Sequence, residues 1–152
     1  MRLWIDADAA PGDVKEIVFR AAKRLSLETL LVANQSLAEP RGNPCVKAVL
    51  VPGGPNVADD YIAEHAVAGD LAITADIPLA ARLVARQVAV IDPRGEEHTA
   101  ENIGSRVAAR NLMDELRGAG TVTGGPRPYG PKDKQAFAAT FDRVLTRLLR
   151  RR

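Results

Sequence analysis

Five short runs dense in Leu, Ile and Val, separated by segments of helical period, set what this chain can fold into. The runs cover residues 3–5, 29–33, 46–51, 71–74 and 87–91. They lack polar alternation, as expected of strands buried on both faces of a parallel sheet. After the first run, Val14, Ile17, Val18, Ala21, Ala22 and Leu25 recur at steps of three and four, making one face of a helix. A second helix is predicted over 56–67, with Ile62, Ala63, Ala66 and Val67 inward. Others are predicted from Ile77-Pro78, where proline suits a first turn, over 101–117, and over 132–149. Asp13 and Asp76 are placed to cap the first and third of these. The alternation predicts an α/β, three-layer Rossmann-like domain. Its mostly parallel central sheet has about five strands, with the first strand central. A length of 152 residues suits one domain over 1–152. Within it, 118–132 reads as a Gly/Pro-rich loop and 133–152 as a basic helix and tail.

Carboxylates gather where these strands end. Asp6 ends the first run and Asp8 follows it; Asp76 lies just past the fourth. Asp59 and Asp60 fall in the first turn of the helix after the third run. In a parallel sheet all these positions share one rim, the rim where ligands bind. Crowded carboxylates resist ionising unless a cation joins them. The pattern therefore predicts a Mg²⁺ or Mn²⁺ site of acidic side chains. Such an ion takes oxygen ligands at about 2.1 Å. It can polarise a phosphodiester and activate water. Capping explains Asp76 equally well, and a helix dipole explains Asp59 and Asp60. Asp70, beside Gly69, reads as a turn residue. Asp6 has no such account, because a strand end has no free N–H groups of its own. The expected order as ligands is Asp6, Asp76, Asp60 with Asp59, then Asp8, with Thr74 orienting a carboxylate.

Other chemistries find less support. Cys45 is the only cysteine, with His65 and His98 the only histidines, so neither a disulfide nor a Cys/His zinc cage can form within the chain. Cys45 reads as inert. Gly53-Gly54-Pro55-Asn56 lacks the Gly-Lys-Ser/Thr ending of a phosphate loop, and no Gly-x-Ser-x-Gly elbow occurs. No apolar stretch is long enough to cross a membrane, and there is no room for a signal peptide before the first strand, so a cytoplasmic protein is expected. The net charge of +2 conceals a +6 segment from Arg127 onward and a −4 remainder. An acidic site beside a basic surface fits a nucleic-acid partner. The expected contacts are Arg127, Lys132 and Lys134 to phosphates and Tyr129 to a base, drawn from the loop 121–132. For Arg106 and Arg110 a surface role is expected, as for the terminal residues 150–152.

Four motifs carry a resemblance across nearly the whole chain. They are Asp6-Ala7-Asp8-Ala9-Ala10-Pro11, Ala58-Asp59-Asp60-Tyr61-Ile62, Gly69-Asp70-Leu71-Ala72-Ile73-Thr74-Ala75-Asp76-Ile77-Pro78-Leu79-Ala80, and Thr123-Gly124-Gly125-Pro126. Together they resemble the YaiI/YqxD family of bacterial proteins, which often has Cys where this chain has Ala10. That family is similar to PIN-like and NYN-like nuclease domains. The resemblance implies Asp6, Asp59 or Asp60, and Asp76 as metal ligands. Thr74-Ala75-Asp76 resembles the Thr/Ser-x-Asp motif of PIN domains. The expected activity is that of a divalent-metal-dependent ribonuclease or related nuclease, with Asp6, Asp60 and Asp76 catalytic. The rivals are a non-catalytic RNA-binding or ribosome-associated module and a haloacid-dehalogenase-like phosphatase. The phosphatase is suggested by Asp-x-Asp after the first strand, and it also needs a lysine.

Overall fold

The computed structural model describes residues 1–120, 125 and 127–151. The expected contributions of Thr121 to Gly124, Pro126 and Arg152 lie outside the described residues.

The apolar runs form strands β1 (Leu3–Asp6), β2 (Thr29–Ala33), β3 (Val46–Leu50), β4 (Leu71–Ile73) and β5 (Ala89–Ile91). A sixth strand, β6 (Glu97–His98), closes the sheet, whose order is β3-β2-β1-β4-β5-β6. All pairings are parallel except β5 with β6. The sheet is thus the expected mostly parallel one, with β1 central and one antiparallel edge strand added.

Period-two burial sends alternate residues to opposite faces. Leu3, Ile5, Leu31, Leu71 and Ile73 pack on one side with helices α1 (Gly12–Leu25) and α5 (Pro131–Arg151). Trp4, Leu30, Val32, Ala72 and Val90 pack on the other with α2 (Val57–His65) and α3 (Ile77–Ala85). Three layers result. Helix α4 (Ile103–Gly118) lies outside them against α3 and buries none of its residues fully. No helix among the described residues is long and apolar enough to cross a membrane.

Several local expectations change. Pro11, not Asp13, precedes α1, and no side chain caps that helix; Asp13 instead faces Lys134 at 3.8 Å. Val67 is half-exposed rather than inward, because α2 stops at His65 and the chain turns. Gln87 adopts φ 65°, so β5 starts two residues later than its apolar run.

Helix α5 is bolted to the β5–β6 turn. Gly95 has φ 91°, and a Cβ there would lie 2.5 Å from the Ala136 backbone carbon. The Gly95 carbonyl accepts from Thr140 Oγ1 at 2.6 Å. Only a residue without a side chain permits this approach.

Candidate functional site

Strand order reverses direction at β1: β2 and β3 lie to one side, β4 and β5 to the other. The crevice at the C-terminal ends of β1 and β4 is therefore the topological switch point, where open α/β sheets bind ligands. A cleft of about 410 Å³ opens there, lined by Asp6, Asp8, Asn34, Asn56, Asp59 and Asp76 among others.

Thr74 ties two of these acids together. Its Oγ1 donates to Asp6 Oδ2 at 2.9 Å and accepts from the Asp76 amide at 3.0 Å. Asp76 Oδ1 accepts from the Leu79 amide at 2.8 Å, so Asp76 caps α3 as expected and also faces the cleft. Asp8 rides on the 3₁₀ turn Ala7–Ala9, exposed at the cleft's lip. Asp59 lines the cleft with Asp76 from the first turn of α2, near enough for their charges to oppose each other. Asp60, its neighbour, does not: it is exposed, and Oδ1 accepts from Arg82 Nη1 at 2.7 Å outside the cleft. Successive helical positions diverge by about 100°, so only one of the pair can face inward. Asp59 takes the place expected of Asp60.

The carboxyls feel this crowding. Burial raises the pKa of Asp6 against the lowering effect of the Thr74 hydrogen bond, and the charges of Asp76 and Asp8 raise it further. Asp59 is pushed up to about 7, first by burial, then by the charges of Asp76 and Asp6. A folded-state pKa above the unfolded one means that the native protein holds an extra proton between about pH 4 and pH 7. Stability from this group is therefore lost as pH rises through that window. Asp59→Asn is expected to raise stability at pH 8 by about 1 kcal/mol, after discounting for solvent screening, and to change nothing at pH 4. Urea denaturation at both pH values checks this; equal effects at both would contradict it.

Among the described residues, no three Asp, Glu, His or Cys side chains form a ready-made metal cage. The donor set nonetheless fits a hard divalent cation. It is all oxygen, its charges oppose one another, and Asp59 holds a proton that a cation would displace. No lysine lines the cleft among the described residues.

Two of the four expected nucleic-acid contacts are engaged elsewhere. Arg127 makes two hydrogen bonds to Asp133, Nη1 to Oδ2 at 2.8 Å and Nη2 to Oδ1 at 2.7 Å. Arg94 Nη1 shares Asp133 Oδ2 at 3.0 Å. These partners and the Gly130 amide hold the Asp133 carboxyl well below the usual range. Tyr129 donates to the Pro93 carbonyl at 2.9 Å, and Arg94 sits 5.7 Å from its ring centroid. Arg127 and Tyr129 therefore clamp the start of α5, with the Arg127 side chain still 67% exposed. Lys132 and Lys134 are exposed in the first turn of α5, and Lys134 faces Asp13, near the start of α1, at 3.8 Å. The far end of α5 is at the opposite rim: Leu148 and Arg151 border a hollow with Met1 and Asp70. The basic tail is thus not beside the acidic cleft. Arg106 bonds the Glu97 carbonyl and His98, and Arg110 pairs with Asp114, as surface and structural residues. Cys45 is half-buried against the core.

Sequence reasoning missed Asn34 and Asn56 as lining residues. Asn34 directly follows β2, so the strand-end rule that found Asp6 could have found it.

The fold and site define a three-layer α/β protein with an acidic cleft at its switch point. The chain belongs to the family described as "Uncharacterized BCR, YaiI/YqxD family", whose model matches residues 4–147. It is 55% identical over 150 residues to a UPF0178 protein of Trichlorobacter lovleyi, covering 99% of this chain and 97% of that one. It is 53% identical to UPF0178 proteins of Pseudomonas fluorescens and Geobacter sulfurreducens, covering 99% of this chain in both cases and 99% and 100% of theirs.

Proposed function

We propose that this protein is a divalent-metal-dependent nuclease of PIN-like type, acting on RNA in the cytoplasm, with Mg²⁺ or Mn²⁺ in the acidic cleft. The observation that carries this reading is the Thr74 hydroxyl, which bonds Asp6 and the Asp76 amide at once. It ties the Asp6 carboxylate to the backbone that carries Asp76, whose own carboxylate accepts from the Leu79 amide, and Asp59 lines the same cleft. A bound divalent cation there would supply charge to polarise a phosphodiester and lower the pKa of a water. Asp6 and Asp76 would hold it, with Asp8 at the exposed lip of the same cleft. Asp59, pushed up to about 7 by burial and the neighbouring charges, would give up its proton and join Asp6 and Asp76. Asp60 has no part in this arrangement.

The phosphatase reading is weaker, because its cationic partner is missing from the described lining. The test is incubation of the purified protein with single-stranded RNA, with Mn²⁺ or with EDTA. Cleavage with Mn²⁺ alone is expected. Binding without turnover would favour the non-catalytic RNA-binding module, and release of phosphate from a phosphomonoester would favour the phosphatase.

A further inference from the structure

We propose that the groove between α1 and the 34–45 loop is the track on which a single-stranded nucleic acid lies as it enters the acidic cleft, held by Lys15, Lys23 and Arg41. The inference rests on the nuclease reading for its destination but not for its binding.

The parallel connection from β2 to β3 carries no helix. The chain instead runs as an irregular loop from Asn34, at the acidic cleft, down the flank of α1 to the start of β3. Asn43, 9% exposed, fixes it there: Nδ2 donates to the Phe19 carbonyl at 2.8 Å, and Oδ1 accepts from the Cys45 amide at 3.3 Å. Between loop and helix a groove of about 430 Å³ remains. Both of its walls start at the cleft, because α1 begins just after the turn that carries Asp8.

The groove's chemistry is one-sided. Lys15, Phe19 and Lys23 are four residues apart on α1, so they share a face at steps of about 6 Å along the axis. Arg41 faces them from the loop. Lys23 Nζ reaches across, 3.9 Å from where a Cβ would sit on Gly42. Glu16, the carboxylate of the lining, is taken by Arg20 at 2.5 Å. Lys15, Lys23 and Arg41 form no ion pair among the described residues. Three uncompensated cations around a half-buried aromatic ring match what a single strand offers, phosphates at intervals and bases with apolar faces. An acidic peptide would supply the charge but not the ring's partner.

The test uses the full chain carrying Asp6→Asn, in EDTA, so that no turnover intervenes. Anisotropy of a labelled ten-residue oligouridylate gives Kd over a range of salt. Lys15→Gln/Lys23→Gln/Arg41→Gln is expected to weaken binding about tenfold or more. It should also lower the salt slope by about 2, at roughly 0.7 per phosphate for single strands. Phe19→Leu keeps the packing and is expected to weaken binding about fivefold with the slope unchanged. Arg143→Gln/Arg150→Gln, on α5, is expected to change neither. Unaltered affinity and slope in the triple variant would overturn the proposal, as would equal binding of polyglutamate. If the wild type binds in this way yet cleaves nothing, the groove stands and the nuclease reading falls. If it cleaves and the triple variant binds normally, the reverse holds.

Discussion

Asp6→Asn is expected to reduce Mn²⁺-dependent cleavage of single-stranded RNA by about 10²-fold or more, equivalent to about 2.7 kcal/mol of barrier, while leaving the protein as stable as before or slightly more so. The split follows from the residue's surroundings. Asp6 is 6% exposed, and its carboxyl already resists ionisation, chiefly through burial. A neutral amide of the same shape fits that environment and can still accept from Thr74 Oγ1. What the amide lacks is the negative charge a hard cation needs. A gel assay and a thermal melt on the same sample check both halves. Full cleavage by the variant would remove Asp6 from the chemistry. Lost activity with a collapsed melting temperature would show a structural role instead.

Asp70→Ala is expected to cost about 3–5 kcal/mol of stability, a loss large enough to leave a small domain marginal. Asp70 resembles the cleft acids in sequence but sits at the opposite rim, at the N-terminal end of β4. It is 2% exposed and accepts from the Arg2 amide at 2.9 Å, the Trp4 indole at 3.0 Å and the Val67 amide at 3.0 Å. Alanine leaves those donors unpaired, each costing about 1–3 kcal/mol if it stays buried. Urea denaturation measures the loss. A change under 1 kcal/mol would mean that water satisfies these donors. RNA cleavage per folded molecule should be unaffected.

The contrast between Asp70 and Asp6 marks the limit of what the chain's pattern reveals. Strand positions were legible because β1, β2, β4 and β5 are largely apolar on both faces and the edge strand β3 is apolar apart from Lys47, a pattern that survives in one sequence. β6 was not, because Glu97 and His98 are polar and are held by Arg147 and Arg106 rather than by burial of an apolar face. Asp6 and Asp76 could be placed at one rim, since parallel strands end together. The choice between Asp59 and Asp60 could not be made, because it depends on the roll of α2 about its axis. Asp70 does close the turn it was read into, its amide donating to the Val67 carbonyl at 3.0 Å, but its buried role stayed hidden because two of its three donors, Arg2 and Trp4, lie far along the chain. Arg127 and Tyr129 looked available for nucleic acid for the same reason: Asp133 and Pro93 meet them only once α5 docks. Lys15 and Lys23 on α1 and Arg41 on the following loop, which form no ion pair among the described residues, meet only across the α1 groove.

Calorimetric titration with Mn²⁺ at pH 6.5, in two buffers of different ionisation enthalpy, tests most directly whether Asp6, Asp59 and Asp76 share a cation. The expected result is one ion per chain with release of up to about one proton, since Asp59 titrates near 7. Affinity should fall at least about tenfold in Asp6→Asn and stay unchanged in Asp60→Asn. No binding by the wild type, or equal binding by Asp6→Asn, would contradict the account.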